Sequence, residues 1–171
     1  MTAITNRFAR ALAVHPTVGD IVYVGTLGGG VFRSANGGES WQQRVQGLAG
    51  LGVNDFLNIN GYLYAATDFA GVYRSTDGGH TWEPFNNGLP PVTLFAYDLA
   101  KDEQNNIYLG IGKWGVLRLE SGNWVTVTDS LTQTDVSAII AVSGTLMIAA
   151  TAPGQEDDAQ ILVSTDMGST W

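Results

Sequence analysis

Nine residues are written three times in this chain: RSANGGESW from Arg33 to Trp41, RSTDGGHTW from Arg74 to Trp82, and VSTDMGSTW from Val163 to Trp171. An eroded fourth copy, RLESGNW, begins at Arg118; it has lost the Ser-x-Asp pair but keeps the glycine and Trp124. The four tryptophans follow one another at intervals of 41, 42 and 47 residues. A period near 40 residues means one small supersecondary unit per repeat. Such a unit cannot bury its apolar face alone and must stack on its neighbours.

Within each period the apolar residues alternate. In the second, VNDFLNI (53–59) leads through Asn60-Gly61 into YLYAAT (62–67), then a loop at 68–70, GVYRS (71–75), the repeated turn, and TWEPF. Asn-Gly between alternating apolar runs is a strong hairpin signal. IVYVGT, NIYLGI and LMIAAT align as second strands, and GVFRS, GVLRL and ILVST as third strands. Period-2 patterning rich in aromatic and β-branched residues excludes helix for nearly the whole chain. Four-stranded sheets repeated at this interval predict an all-β β-propeller of antiparallel blades. The blades fall at about 10–46, 53–87, 94–129 and 136–171, the last without its outer strand. The composition agrees, with 22 glycines for turns and only 14% charged residues.

The repeated nonapeptide has a physical task at the turn between third and fourth strands. Gly37-Gly38 and Gly78-Gly79 supply the positive φ of a tight reversal. The Ser hydroxyl and Asp carboxylate accept hydrogen bonds from turn amides, and the tryptophan packs its ring between blades. Ser75, Asp77, Gly79 and Trp82, like Ser164, Asp166, Gly168 and Trp171, resemble the Asp-box, or BNR, repeat of sialidase-like propellers. Ser34, Asn36, Gly38 and Trp41 form a copy with Asn for Asp, and Trp124 marks the eroded one. In style the chain is most similar to bacterial photosystem II stability/assembly factor-like and BNR-like repeat proteins. The resemblance implies a scaffold role for the motif and leaves activity open, because hydrolases, receptors and assembly factors all carry it.

Charge and composition exclude several classes. Eight basic against 16 acidic residues give a net charge of −8, which repels phosphate backbones and anionic membranes, so no nucleic-acid partner is expected. Without cysteine there is no disulfide framework or thiolate metal site. The apolar run Val136 to Thr151 is too short for a comfortable membrane span and is cut by Ser143-Gly144, so membrane insertion is not expected. The opening MTAITNRFARALAVHP carries no signal-peptide core, and compartment stays open, although members of the resembling family are often exported.

Propeller topology puts the loops between second and third strands on the face opposite the repeated turns, where ligands usually sit. That face carries Asp68, Phe69, Lys113 and Trp114, a charged and stacking set for a sugar or a peptide segment. Glu156, Asp157 and Asp158 form the densest acidic cluster, a weak calcium candidate without EF-hand spacing. Arg33, Arg74 and Arg118 sit at equivalent positions beside the repeated turns, on three separate blades, and do not form a sialidase-type triad. No catalytic residues and no cofactor are identified. The expected function is a non-catalytic binding or assembly module for a protein or glycan, as part of a larger ring. The alternatives are a piece of a sialidase-like or xyloglucanase-like glycoside hydrolase, with catalytic residues outside this chain, and a scaffold alone. Ile4 aligns with interblade loops rather than with a closing strand, so open blade faces at both ends are expected to meet further blades or to drive self-association.

Overall fold

The computed structural model describes residues 4, 8–49, 52–90, 95–127, 129–131, 134–151 and 158–171. The chain divides into two compact units, Met1–Phe85 and Asn86–Trp171. Each holds two propeller blades in which neighbouring strands pair in sequence order, antiparallel throughout.

In the first unit, blade 1 is β1 (Phe8–Val14), β2 (Val22–Leu27), β3 (Gly30–Ser34) and β4 (Gln42–Arg44). Blade 2 is β5 (Val53–Ile59), β6 (Tyr62–Thr67), β7 (Gly71–Ser75) and β8 (Glu83–Pro84). Strand β8 is only two residues long. It is shorter than the expected TWEPF strand, although Phe85 just beyond it still donates its amide to the Val72 carbonyl at 2.8 Å. Ala11, Tyr23 and Val31 of blade 1 and Val53, Phe56, Ala65, Tyr73 and Trp82 of blade 2 form one buried cluster. Alternate residues of one blade thus become the floor on which the next blade lies.

In the second unit, blade 3 is β9 (Ala96–Lys101), β10 (Ile107–Ile111), β11 (Gly115–Glu120) and β12 (Asn123–Thr126). Blade 4 has three strands, β13 (Asp135–Val142), β14 (Thr145–Thr151) and β15 (Ala159–Ser164). Tyr108, Val116 and Ala100 pack with Val136, Ile139, Leu146 and Ile148. The apolar run expected to be two strands is β13 and β14, turning at Ser143-Gly144 with both residues at positive φ.

The eroded motif in blade 3 has become a different device. Ser121 and Gly122 have φ of 48° and 83° between the paired Glu120 and Asn123, as in a two-residue type I′ hairpin. Trp124 nonetheless stays 2% exposed, with its backbone N–H donating to the Asn87 carbonyl at 2.8 Å. Trp82 does the same to Gln46 at 3.0 Å. The tryptophan anchor therefore outlives the turn that carries it.

Candidate functional site

The repeated turns are internally satisfied. The Ser75 hydroxyl accepts from the Gly79 amide at 2.8 Å and donates to the Asp77 carboxylate at 2.8 Å. Asp77 also accepts from the His80 and Thr81 amides at 2.9 Å each and from the Thr81 hydroxyl at 2.6 Å. Ser164, Asp166, Gly168 and Thr170 repeat this pattern. Partial burial works against ionisation of Asp77, but the donors from Thr81, Ser75 and His80 outweigh it and hold its pKa at about 2. For Asp166 the Thr170 hydroxyl and amide and the Ser164 hydroxyl lower it to about 2. In the first copy Asn36 accepts from Ser40 N and donates its amide to the Ser40 hydroxyl. One acceptor oxygen and one hydroxyl contact suffice there, so the negative charge is dispensable. The Ser and the Asp or Asn side chains of these turns are thus engaged within the turns themselves.

The arginines are likewise occupied locally. Arg33 Nε and the Tyr23 hydroxyl both donate to the Gly78 carbonyl at 3.0 Å. Arg74 pairs with Glu83 at 2.5 Å and lies 4.5 Å over the Phe85 ring. Arg118 pairs with Glu120. Each contact stays within a blade or its immediate neighbour.

The opposite rim is different. The inner strand of every blade slips register once, close to the turn between its second and third strands. The extra residues are Arg10, Asn54, Tyr97 and Ser137. A bulge re-aims a side chain and leaves a strand locally unpaired. In the first unit Arg10 Nη1 donates to Asn54 Oδ1 at 2.6 Å and to Asp68 Oδ2 at 2.8 Å, while Asn54 donates to Asp68 Oδ1 at 2.8 Å. The Asp68 carboxylate is therefore committed to the rim and only 15% exposed, whereas the Arg10 side chain keeps 39% exposure. Phe69 follows at φ 64° and is 68% exposed.

In the second unit Phe95 and Tyr97 stack with ring centroids 6.0 Å apart and planes at 17°. Gly112 lies under them: a Cβ there would stand 3.3 Å from Tyr97 and 3.2 Å from Asp135 Oδ1. Lys113, exposed and at φ 63°, donates its amide to Asp135 Oδ1 at 2.6 Å, and Trp114 is half-buried beside it. The sequence singled out Asp68, Phe69, Lys113 and Trp114. The structure puts Asp68 and Phe69 with Arg10 and Asn54 in one unit, and Lys113 and Trp114 with Phe95, Tyr97 and Asp135 in the other. Register slips leave no mark in a single sequence, which is why the bulge residues escaped notice. Of the acidic cluster, Asp158 is exposed, and Glu156 and Asp157 lie outside the described residues. Among the described residues no three His, Asp or Glu side chains converge on a metal position.

Residues 73–84 match the family model described as BNR/Asp-box repeat. The chain carries an Asp-box repeat. No curated protein matches the sequence. Among solved structures, the fold is similar to the GH74 xyloglucanase from Xanthomonas campestris, with a TM-score of 0.72 and 20% identity over 94% of this chain and 29% of that one. It is similar to YCF48 bound to D1 peptide, with a TM-score of 0.67 and 14% identity over 99% of this chain and 55% of that one. It is also similar to the computationally designed Ika4 protein, with a TM-score of 0.68 and 14% identity over 96% and 94% of the two chains. The chain thus spans under a third of the xyloglucanase, and at these identities the likeness carries the propeller fold alone.

Proposed function

We propose that this propeller is a non-catalytic binding module that captures a protein segment or a glycan on the rim opposite its Asp-box turns. The observation that carries this reading is the backbone cost of that rim. Gly28, Phe69 and Lys113 occupy the same turn position, all with φ between 63° and 79°. Glycine takes that conformation freely, whereas a bulky L-residue is disfavoured there by about 1–2 kcal/mol. Strain of this kind clusters at functional sites, and outside this rim Met167 shares it in an Asp-box turn. On the rim it presents an exposed aromatic ring in one unit and an exposed ammonium beside a half-buried indole in the other. Aromatic faces stack on sugar rings and on peptide side chains alike. The likeness to a peptide-bound YCF48 and to a xyloglucanase supports both ligand classes.

Calorimetric titration with xyloglucan oligosaccharides and with a peptide panel tests the proposal. Phe69→Gly is expected to hold or raise thermal stability, by up to about 1 kcal/mol after the entropy cost of glycine. Trp114→Ala is expected to weaken binding at least as much as any rim change. Unaltered affinity in both variants would remove the rim from consideration. Release of reducing ends from xyloglucan would replace the binding reading with a hydrolase one.

A further inference from the structure

We infer that two copies of this chain associate head to tail, the open face of blade 4 in one copy seating on the open face of blade 1 in the other. The strand registers match the first three strands of the four blades position by position, so the covered interface within the first unit shows what the uncovered faces are shaped to meet. Blade 2 covers Ala11, Tyr23 and Val31 of blade 1, which are 5%, 0% and 0% exposed. Their register equivalents in blade 4 are Ala138, Met147 and Ile161, with Ile140 in the place of Ala13. Met147, Ile140 and Ile161 are 39%, 54% and 69% exposed, and together with Ala138 and Ala149 they line a shallow apolar groove.

The covering side is repeated as well. Blade 2 lays Phe56 and Trp82 on blade 1, with Phe56 centred 6.3 Å from Tyr23 and Trp82 5% exposed. The equivalents on the free side of blade 1 are Leu12, 73% exposed, and the half-buried Trp41.

The closest approach between blades decides the partner. A Cβ on Gly25 would stand 2.6 Å from Val53 Cγ1, and one on Gly110 would stand 2.8 Å from Val136 Cγ1. Each observed interface therefore opposes a glycine to a valine. Blade 4 has Ala149 at the glycine position, so a valine would clash there by the width of a methyl group. Blade 1 has Ala9 at the valine position. Alanine against alanine avoids that clash and sets two side-chain carbons where glycine against valine sets three, close to the same packing. The polar link is exchanged in step. Tyr23 and Arg33, which donate across to Gly78, are replaced in blade 4 by Met147 and Val163, so this contact is apolar where the internal one is mixed. Both halves of one matched interface lie on the same chain, and that is the signature of a heterologous self-contact.

Since the chain has no cysteine, the register is open to cross-linking. The single variants Ala9→Cys and Ala149→Cys, mixed in equal amounts and oxidised, are expected to give a covalent dimer on a non-reducing gel. Neither variant alone is expected to do so. By light scattering the wild-type chain is expected at a multiple of its 18.2 kDa mass. Leu12→Glu and Ile161→Glu should each yield monomer with unchanged far-ultraviolet dichroism. An 18.2 kDa species at every concentration overturns the proposal. So does cross-linking of Ala9→Cys with itself, or a mixture that stays uncross-linked because other surfaces or other partners hold these faces.

Discussion

At the scale of single residues, the Asp-box is a device for satisfying amides, and its parts are separable. Asp77 accepts four hydrogen bonds, two of them from backbone N–H groups that the turn leaves without strand partners. Asp77→Ala should therefore cost about 1–2 kcal/mol, in the lower part of the range for orphaned donors because water reaches this exposed turn. Asp77→Asn should cost much less, since Asn36 performs the same task in blade 1. Urea melts of the two variants at neutral pH separate the geometric part from the charge. The pH dependence has a definite sign. Asp77 and Asp166 have folded pKa values near 2, below the unfolded aspartate value of about 3.9. Their ionised forms stabilise the fold fully above pH 4, and that contribution fades as pH falls from about 4 towards 2. Asp77→Asn costs little at neutral pH and has no carboxylate to protonate, so its midpoint of acid unfolding should move to lower pH than in the wild type. The serine, aspartate, glycine and tryptophan were legible in the sequence because they recur. The hydroxyls of Ser40, Thr81 and Thr170 recur too, but Ser and Thr alternate there and their role emerges only from their contacts with Asn36 Nδ2, Asp77 Oδ2 and Asp166 Oδ2.

At the scale of strands and turns, the alternation of apolar residues located every second and third strand, because each has one face on a neighbouring blade. Outer strands were read less well. They bear little of the core, so β4 and β8 are short and their ends are set by hydrogen bonding rather than burial. The inner-strand bulges were not legible at all. They insert one residue without changing composition, and yet they place Arg10, Asn54 and Tyr97 on the candidate rim. The tryptophan anchors rank by burial. Trp82, 5% exposed in the first unit's core, should cost about 3–5 kcal/mol when replaced by alanine. Trp41→Ala should cost distinctly less in a monomeric background, because Trp41 is only half-buried. Equal losses in chemical melts would mean that something already covers blade 1.

At the scale of the whole molecule, the repeat count was legible from four tryptophans, and the presence of uncovered faces followed from the strand count. What those faces fit was not legible, because it rests on a register in which Ala9 and Ala149 answer Val53 and Gly25. If the faces meet, folding and association are linked. A partner that binds only the folded chain adds stability as RT ln(1 + [L]/Kd), about 2.7 kcal/mol at one hundred times Kd. For a chain of this size each kcal/mol raises Tm by about 2–4 °C. The wild-type Tm should therefore climb by several degrees as concentration passes through the dissociation range. The Tm of Leu12→Glu should be flat across the same range, because an ionised carboxylate in that apolar contact would be buried unpaired. A flat wild-type profile, with the protein monomeric throughout, would mean that Leu12, Met147 and Ile161 remain in water. Hydrophobic side chains at 39–73% exposure would then be left with no partner in the isolated chain.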